Sequence, residues 1–236
     1  SHLIALAVLA LGTLALSRWV AADRDRRARV TTPVAVMLLA AGIGFVVVDA
    51  AAGKSFRSIA PLQLCDAVVF IGAAALITRR QLLFELTYLW GCSGTLAALL
   101  TPDLYEDFPH FRFIFYFAQH GLIVVAAVLL AAGLGMRPRL SAPLRAIGWL
   151  NVYALFVGLV NVAFKTNFMY LRHKPGAATA LDVFGPWPWY ILASEGVALM
   201  LFALLMLPFM RALRTDRDRE ALRNSSAAPP AQSESD

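Results

Sequence analysis

Charged residues are scarce in this chain. Only 15% of its 236 residues are Asp, Glu, Lys or Arg, and they cluster between long apolar runs. Soluble domains spread their charges over the surface and average roughly 45–50% apolar residues. Here 59% of the residues are hydrophobic and the mean hydropathy is +0.66. This composition excludes a soluble globular fold and predicts an all-α, polytopic membrane protein.

Cysteines and the common catalytic signatures are also largely missing. The two cysteines, Cys65 and Cys92, both lie in apolar segments, which excludes a disulfide-stabilised secreted domain. The patterns CxxC, HExxH, GxSxG and a Gly-rich phosphate loop are absent. The four histidines are widely dispersed, so we predict neither a metal site nor a cofactor. The last apolar run, 188–210, has no lysine, which excludes a retinal protein.

The formal net charge of +6 raises the question of a nucleic-acid partner. The arginines, however, flank the hydrophobic runs, where the positive-inside effect places them in membrane proteins. Membrane topology therefore accounts for the charge. We predict membrane lipids as the partners and no nucleic acid, and the sequence leaves the oligomeric state open.

Seven stretches are apolar enough to cross a bilayer, which takes roughly 20 residues in a helix. They are about 3–21, 31–52, 60–78, 81–100, 111–135, 142–164 and 188–210. Fifteen of the 21 Lys and Arg residues lie in one set of alternate connections and six in the other. Because the richer side is predicted to be cytoplasmic, the N-terminus lies outside and the C-terminus inside.

The chain is thus expected to form one domain and a tail. Residues 1–211 form a bundle of seven transmembrane helices in the plasma membrane, and residues 212–236 form a disordered cytoplasmic tail. The tail is rich in Arg, Asp and Glu and then in Ser, Ala and Pro, so it cannot bury enough apolar area to fold. No basic segment precedes the first apolar run, and we expect no cleavable signal peptide.

Polar residues inside the apolar runs are candidates for function, because they are costly in lipid and usually face the bundle interior. In the third run, Gln63 and Asp66 share one helical face. Cys65 lies about 100° round from Asp66 and about 8 Å from the outer end of the run. In the fifth run, His120 lies about 12–15 Å from the same side. The thiol and the imidazole can therefore be at similar depths.

The fifth run also carries a stripe of polar side chains. Arg112, Tyr116 and His120 recur at steps of four residues, with Gln119 beside them. A thiol next to an imidazole is a workable acyl-transfer pair, because the imidazole can take the thiol proton and return it to the leaving oxygen. Each residue alone also has a structural explanation, as a small buried hydrophobe or as a histidine hydrogen-bonded within the bundle.

Other buried polar groups keep two further functions open. Glu85 is expected to reach the cytoplasmic interface or to pair with Arg79 or Arg80, and Cys92 is expected in a close helix contact. Glu195, deep in the last run, must be protonated or paired. Asp66, Glu85, His120 and Glu195 could together line a path in a proton-coupled carrier, a channel or a small-molecule receptor. A non-catalytic membrane scaffold is the third interpretation.

Several motifs resemble those of the bacterial YwaF-like integral membrane proteins. They are Pro61–Asp66, Trp90–Gly94, Leu99–Leu104, Phe108–Phe113, Gln119–Gly121, Lys165–Leu171 and Gly185–Trp189. The resemblance covers about residues 1–210. That family is similar to an animal TMEM-type acyltransferase that makes ether phospholipids.

The resemblance implies a membrane acyltransferase or lipid-remodelling enzyme, either a cysteine-dependent acyltransferase or a thioesterase-like lipid hydrolase. It implies Cys65 as the nucleophile and His120 as the base, acting on phospholipid acyl chains. The polar residues expected to bind the substrate are Gln63, Asp66, Arg112, Tyr116, Gln119, Asn161 and Asn167.

Overall fold

The structure is a computed structural model, and it describes residues 2–95, 98–99, 108–176 and 180–227. Every regular element in this part of the chain is helical. The helices are α1 (His2–Ala21), α2 (Arg24–Ala51), α3 (Phe56–Ile59), α4 (Leu64–Thr78), α5 (Gln81–Trp90), α6 (Phe111–Val128), α7 (Ala142–Phe164) and α8 (Trp189–Ala227). The π-helical turns Gly91–Thr95 and Leu129–Gly133 prolong α5 and α6, and the 3-10 turns Phe168–Tyr170 and Ala180–Phe184 precede α8.

Four of the helical segments are long and apolar enough to cross a membrane. They are Arg24–Ala51, Phe111–Gly133, Ala142–Phe164 and Trp189–Met210. Leu9–Ala21 and Leu64–Thr78 are shorter apolar helices. The prediction of an all-α chain with several membrane-length helices is therefore confirmed for the described residues. The prediction of seven spans and the orientation of the termini stay predictions.

Two helix starts differ from the starts of the predicted runs. The segment 24–29 precedes the second predicted run but is helical: α2 begins at Arg24 because the Asp23 carboxylate accepts a hydrogen bond from the Asp25 backbone N–H at 2.9 Å. The third run was expected to be helical from about residue 60. Its long helix starts only at Leu64, after the separate short helix α3.

The last helix extends beyond the predicted end of the membrane domain. The backbone of α8 is helical as far as Ala227, so residues 212–227 continue the helix. Arg, Asp and Glu residues dominate this extension and suit a helix that emerges into water. The disorder predicted for the tail stays a prediction for residues 228–236, which lie outside the described residues.

The centre of the bundle is built from α2, α4, α5 and α6. Small residues allow these helices to approach closely. A Cβ placed on Gly42 would come within 2.9 Å of Val69 Cγ1, and one on Gly72 within 3.2 Å of Leu38 Cδ2. Outside this centre, α1 packs on the π turn that follows α6, and α7 packs against α5 and α8.

One end of the bundle is held by a buried carboxylate. Glu85 is 1% exposed, and its Oε1 accepts hydrogen bonds from Arg139 Nε at 2.9 Å and from Gln81 Nε2 at 3.0 Å. Arg145 Nη1 lies 3.6 Å from Glu85 Oε2. The hydrogen bond from the Arg139 side chain to Glu85 raises the pKa of the Arg139 guanidinium above its usual value. This ion pair joins α5 to the segment that leads into α7.

The expected pairing of Glu85 with Arg79 or Arg80 is therefore wrong. Both arginines are exposed, because α4 ends at Arg79 in a left-handed conformation with φ of 54° and the chain turns there into α5. The partners that reach Glu85 come from a different connection of the chain.

The opposite end of the bundle has its own ion cluster. The buried Asp49, near the end of α2, contacts Lys54 Nζ through Oδ1 at 3.0 Å and Arg112 Nη2 through Oδ2 at 2.7 Å. The Arg112 guanidinium also lies 5.5 Å from the centre of the Phe45 ring. These contacts join the end of α2 to the start of α6, beside the residues described next.

Candidate functional site

Cys65 is the second residue of α4 and is partly exposed. The helix starts where it does because Asp66 Oδ2 accepts a hydrogen bond from the Gln63 backbone N–H at 3.1 Å. The first turn of a helix presents backbone N–H groups and the positive end of the helix dipole. The Cys65 thiol therefore lies in the first turn of α4, near the positive end of the helix dipole.

Asp66 also joins α4 to α6. Its second carboxylate oxygen, Oδ1, accepts a hydrogen bond from Gln119 Nε2 at 3.1 Å. Gln119 is buried on α6, and the residue that follows it is His120. The residue that precedes Asp66 is Cys65. A polar contact between two packed helices thus lies directly beside both predicted catalytic residues.

His120 is 6% exposed and has a defined orientation. Its Nδ1 lies 2.8 Å from the Tyr116 carbonyl oxygen, and the two rings stack with centroids 4.1 Å apart. Because a carbonyl oxygen only accepts, Nδ1 carries the proton in this contact and Nε2 carries the lone pair. No described residue hydrogen-bonds to Nε2. In this tautomer, the Nε2 atom of the imidazole can accept a proton, as a general base must.

Two of the predicted site residues, Asp66 and Gln119, are thus in contact, and Cys65 and His120 are their neighbours in the chain. Arg112 and Tyr116 precede His120 on the same helix. Arg112 is held by Asp49, while the Tyr116 hydroxyl donates a hydrogen bond to the Ala98 carbonyl oxygen at 2.9 Å. These two side chains therefore position α6 against its neighbours.

Gln63 connects the start of α4 to the loop after α7. Its Oε1 accepts a hydrogen bond from the Met169 backbone N–H at 2.9 Å. The Tyr153 hydroxyl, on α7, donates to the Leu62 carbonyl oxygen at 3.1 Å. The loop and α7 therefore support the segment that leads into Cys65. Tyr153 gives no functional signal in the sequence, because a single tyrosine in an apolar run has no distinctive spacing.

Asn161 organises this loop. It is fully buried, and its Oδ1 accepts hydrogen bonds from the Phe168 backbone N–H at 2.8 Å and from Thr166 Oγ1 at 2.9 Å. Its Nδ2 donates to the Phe168 carbonyl oxygen at 2.9 Å. Asn167 makes similar contacts further on, with the backbone of Arg172 and His173. Both asparagines were predicted to bind substrate, but their side-chain amides form hydrogen bonds within the loop itself.

Replacing Asn161 with leucine is expected to destabilise the protein by about 2–4 kcal/mol. The change leaves the Phe168 amide and the Thr166 hydroxyl buried without partners, and each such group costs about 1–3 kcal/mol. The measurement is the free energy of unfolding in mixed detergent micelles. Asn151→Leu is the matched control on the same helix: Asn151 is exposed and bonds only to the Ile147 carbonyl oxygen, so its loss is expected to change little. Equal effects would contradict this prediction.

The remaining predicted polar residues lie apart from this cluster. Cys92 is buried in the π turn after α5, where it packs in the core as expected. Glu195 is half-buried on α8. Among the described residues, no group of three His, Cys, Asp or Glu side chains is arranged to hold a metal ion. The resemblance motif that runs through 99–104 lies mostly outside the described residues.

A shallow groove lies on the surface of the bundle next to the start of α4. Its lining is mostly apolar, with Phe56, Ala60, Leu62, Val160, Phe164 and Phe168 beside Arg57 and Thr166. The groove runs between α3 and α7 and reaches Leu62, three residues before Cys65. Apolar side chains of this kind are suited to contact a hydrocarbon chain.

Comparisons with known proteins agree with a membrane protein. An uncharacterized protein of Treponema pallidum (strain Nichols) is 28% identical over 159 residues, which are 66% of this chain and 65% of that protein's length. No solved structure matches the chain. The model of the TMEM164 family matches residues 1–206, which contain every helix of the bundle core and both predicted catalytic residues. The chain therefore belongs to the TMEM164 family.

Proposed function

We propose that this protein is an integral membrane acyltransferase or lipid-remodelling enzyme that acts on phospholipid acyl chains. The observation that carries the proposal is the Asp66–Gln119 hydrogen bond, which joins the helix of Cys65 to the helix of His120 directly beside both residues. The orientation of His120, with Nε2 carrying the lone pair, adds the base that a thiol nucleophile needs.

In the first step Cys65 takes an acyl group from a phospholipid. The sulfur forms a bond to the ester carbonyl carbon while His120 Nε2 accepts the thiol proton. The tetrahedral intermediate then collapses, the ester C–O bond breaks, and the imidazolium proton passes to the departing oxygen. The products of this step are a thioester on Cys65 and a lysolipid.

In the second step the acyl group is transferred. His120 Nε2 removes the proton from the hydroxyl of an acceptor lysolipid, or from water, and that oxygen attacks the thioester carbonyl. The C–S bond breaks and the sulfur regains its proton from the imidazolium. A lysolipid acceptor makes the protein an acyltransferase, and water makes it a thioesterase-like lipid hydrolase.

The surroundings of Cys65 support a lipid as the substrate. The thiol is partly exposed at a helix end, and the apolar groove beside Leu62 offers a surface for an acyl chain. Gln63, Asp66 and Gln119 supply polar contacts for the ester and headgroup region. Arg112 and Tyr116, together with the loop that Asn161 and Asn167 organise, hold the walls of this site.

We further propose a seven-span topology in the plasma membrane, with the N-terminus outside and the C-terminus in the cytoplasm. The ion cluster of Glu85 and Arg139 would then lie at the cytoplasmic end of the bundle, and Cys65 and His120 in the outer leaflet. Residues 1–211 would form the membrane domain and residues 212–236 a cytoplasmic extension. This placement offers the nucleophile to the ester region of outer-leaflet lipids.

A continuous proton path is the less favoured function. Between the polar cluster around Asp66 and the ion pair of Glu85, the core is filled by apolar side chains such as Val68, Leu89 and Ile123, all of them buried. Glu85 is also fully engaged by arginine. Acyl transfer needs only the cluster at one end of the bundle.

The test is to trap the thioester. Purified protein in nanodiscs is incubated with a phospholipid that carries an alkyne-tagged acyl chain, and the adduct is detected by intact mass and by its lability to hydroxylamine. We expect one adduct on the wild type, none on Cys65→Ala, and a normal amount on Cys92→Ala, which removes the other cysteine. Equal labelling of the wild type and Cys65→Ala would overturn the proposal.

A further inference from the structure

The hydroxyl of Thr95, like that of Ser17 in α1, lacks the backbone hydrogen bond that several other helical hydroxyls of this protein make. Thr13, Thr78, Thr87, Ser93 and Ser194 each donate a hydrogen bond to the carbonyl oxygen four residues earlier, at 2.6–2.7 Å. Thr95 is 1% exposed, and its Oγ1 makes no such bond to the described residues. A buried hydroxyl without a partner costs about 1–3 kcal/mol, so its presence calls for a reason.

Thr95 lies in an irregular stretch of backbone. It is the last residue of the π turn Gly91–Thr95, in which backbone hydrogen bonds skip one residue further than in an α-helix. Turns of this kind occur frequently at functional sites.

The packing of α5 against α6 has a defined register. A Cβ placed on Gly91 would lie 2.9 Å from Ile123 Cγ2, and the Ala98 carbonyl oxygen accepts the hydrogen bond of Tyr116. The two helices run antiparallel: Ala98 follows Gly91 by seven residues, and Tyr116 precedes Ile123 by seven residues. Positions between these two pairs are matched in the same way.

The register places Thr95 between the two predicted catalytic residues. Thr95 follows Gly91 by four residues and is therefore level with Gln119, the neighbour of His120. On its other side, a Cβ placed on Gly94 would lie 4.0 Å from Leu64 Cδ2, next to Cys65. The Thr95 hydroxyl is a hydrogen-bonding neighbour of the Cys65 thiol.

We propose that the Thr95 hydroxyl donates a hydrogen bond to the oxyanion that forms when Cys65 attacks an ester carbonyl. The inference rests on the proposed acyl transfer and assigns to it a further catalytic residue. As the Cys65 sulfur bonds to the carbonyl carbon, one C=O electron pair moves onto the oxygen. Thr95 Oγ1–H stabilises that charge until the C=O bond re-forms and the ester C–O bond breaks.

A buried donor that lies beside the reacting sulfur and makes no hydrogen bond to a backbone carbonyl is well suited to this role. It does not have to leave a backbone acceptor before the reaction, so most of the interaction is gained as the charge develops. The surrounding protein excludes water, which strengthens the interaction further. Removing one such donor in acyl-transfer enzymes typically lowers the rate by about 10²–10³-fold.

The test compares Thr95→Val, which removes the hydroxyl at constant shape, with Thr95→Ser, which keeps it. The measured quantity is the rate constant for acylation of Cys65 by the tagged phospholipid in nanodiscs. We expect Thr95→Val to lower it about 100-fold and Thr95→Ser to stay close to the wild-type rate. Thr95→Ala serves as a second variant without the hydroxyl if Thr95→Val does not fold.

Alkylation of Cys65 by iodoacetamide is the internal control, because this displacement forms no oxyanion. Its rate should change far less than the acylation rate in every Thr95 variant. Wild-type acylation in Thr95→Val, an equal loss in Thr95→Ser, or a parallel loss of alkylation would overturn the role of Thr95 and leave the proposed function intact. Absence of any Cys65-dependent adduct on the wild type would instead overturn the proposed function, and the inference with it.

Discussion

Replacing His120 is expected to lower the rate of acyl transfer by about 10³-fold. His120→Gln is the most informative change, because glutamine is similar in size and places a non-basic polar group near the position of Nε2. The variant retains a hydrogen-bonding side chain in the buried site but has no group to accept the thiol proton. A positioned general base contributes about 10²–10⁴-fold, and the predicted loss lies within this range.

The measurement is the pre-steady-state rate of thioester formation on Cys65 in nanodiscs. The matched control is His110→Asn, which changes the histidine at the N-terminal cap of the same helix. His110 is exposed and caps α6 by accepting a hydrogen bond from the Arg112 backbone N–H through Nδ1, and asparagine keeps that cap. An unchanged rate in His120→Gln would exclude general base catalysis by this imidazole.

Replacing Arg139 with leucine is expected to destabilise the protein by about 2–4 kcal/mol. The change leaves Glu85 buried without its main partner, and breaking a buried ion pair from one side typically costs about 3–5 kcal/mol. We expect a loss smaller than this typical cost, because 48% of the Arg139 side chain is exposed and Arg145 stays within 3.6 Å of the carboxylate. The free energy of unfolding in mixed detergent micelles measures the loss.

The double variant Glu85→Leu with Arg139→Leu is the decisive comparison. It removes the buried charge together with its partner, and replacing both members of a buried pair by apolar residues is often neutral. We expect the double variant to recover most of the stability that Arg139→Leu loses. A double variant as unstable as the single one would show that the carboxylate is not the source of the cost.

The two experiments address opposite ends of one bundle. The ion pair at Glu85 holds the connection between α6 and α7 against α5 and is expected to matter for stability. The cluster around Cys65 is expected to matter for the rate. Apolar side chains separate the two ends, so changes at one end should have little effect on the other.

Much of the fold was predictable because the bilayer limits the possible solutions. Backbone polar groups in hydrocarbon must be satisfied within the helix, so each apolar run could be assigned as helical from its length alone. The start of α4 was less predictable. Proline at position 61 and Gln63 interrupt the third run, and only the contact between Asp66 and the Gln63 amide shows where the helix begins.

The sequence also singled out the candidate catalytic residues, whose roles stay a prediction. Cys65 and His120 stood out because polar groups in apolar runs are few, and their depths followed from the rise of a helix. Whether their helices are neighbours could not be derived, since hydropathy is the same for every arrangement of helices around the bundle. The same limit explains the wrong partners predicted for Glu85, because Arg139 is 54 residues away in the chain.

The sequence by itself determined that this protein is helical and apolar along most of its length, because composition and run length depend only on the order of residues. The tertiary structure decided which runs touch: it joined Asp66 to Gln119, turned His120 toward the Tyr116 carbonyl, and gave Thr95 a place beside Cys65. Lipid solvates every helix in a similar way. The packing of small residues and a few polar contacts therefore select the neighbours, and both act only when the helices meet.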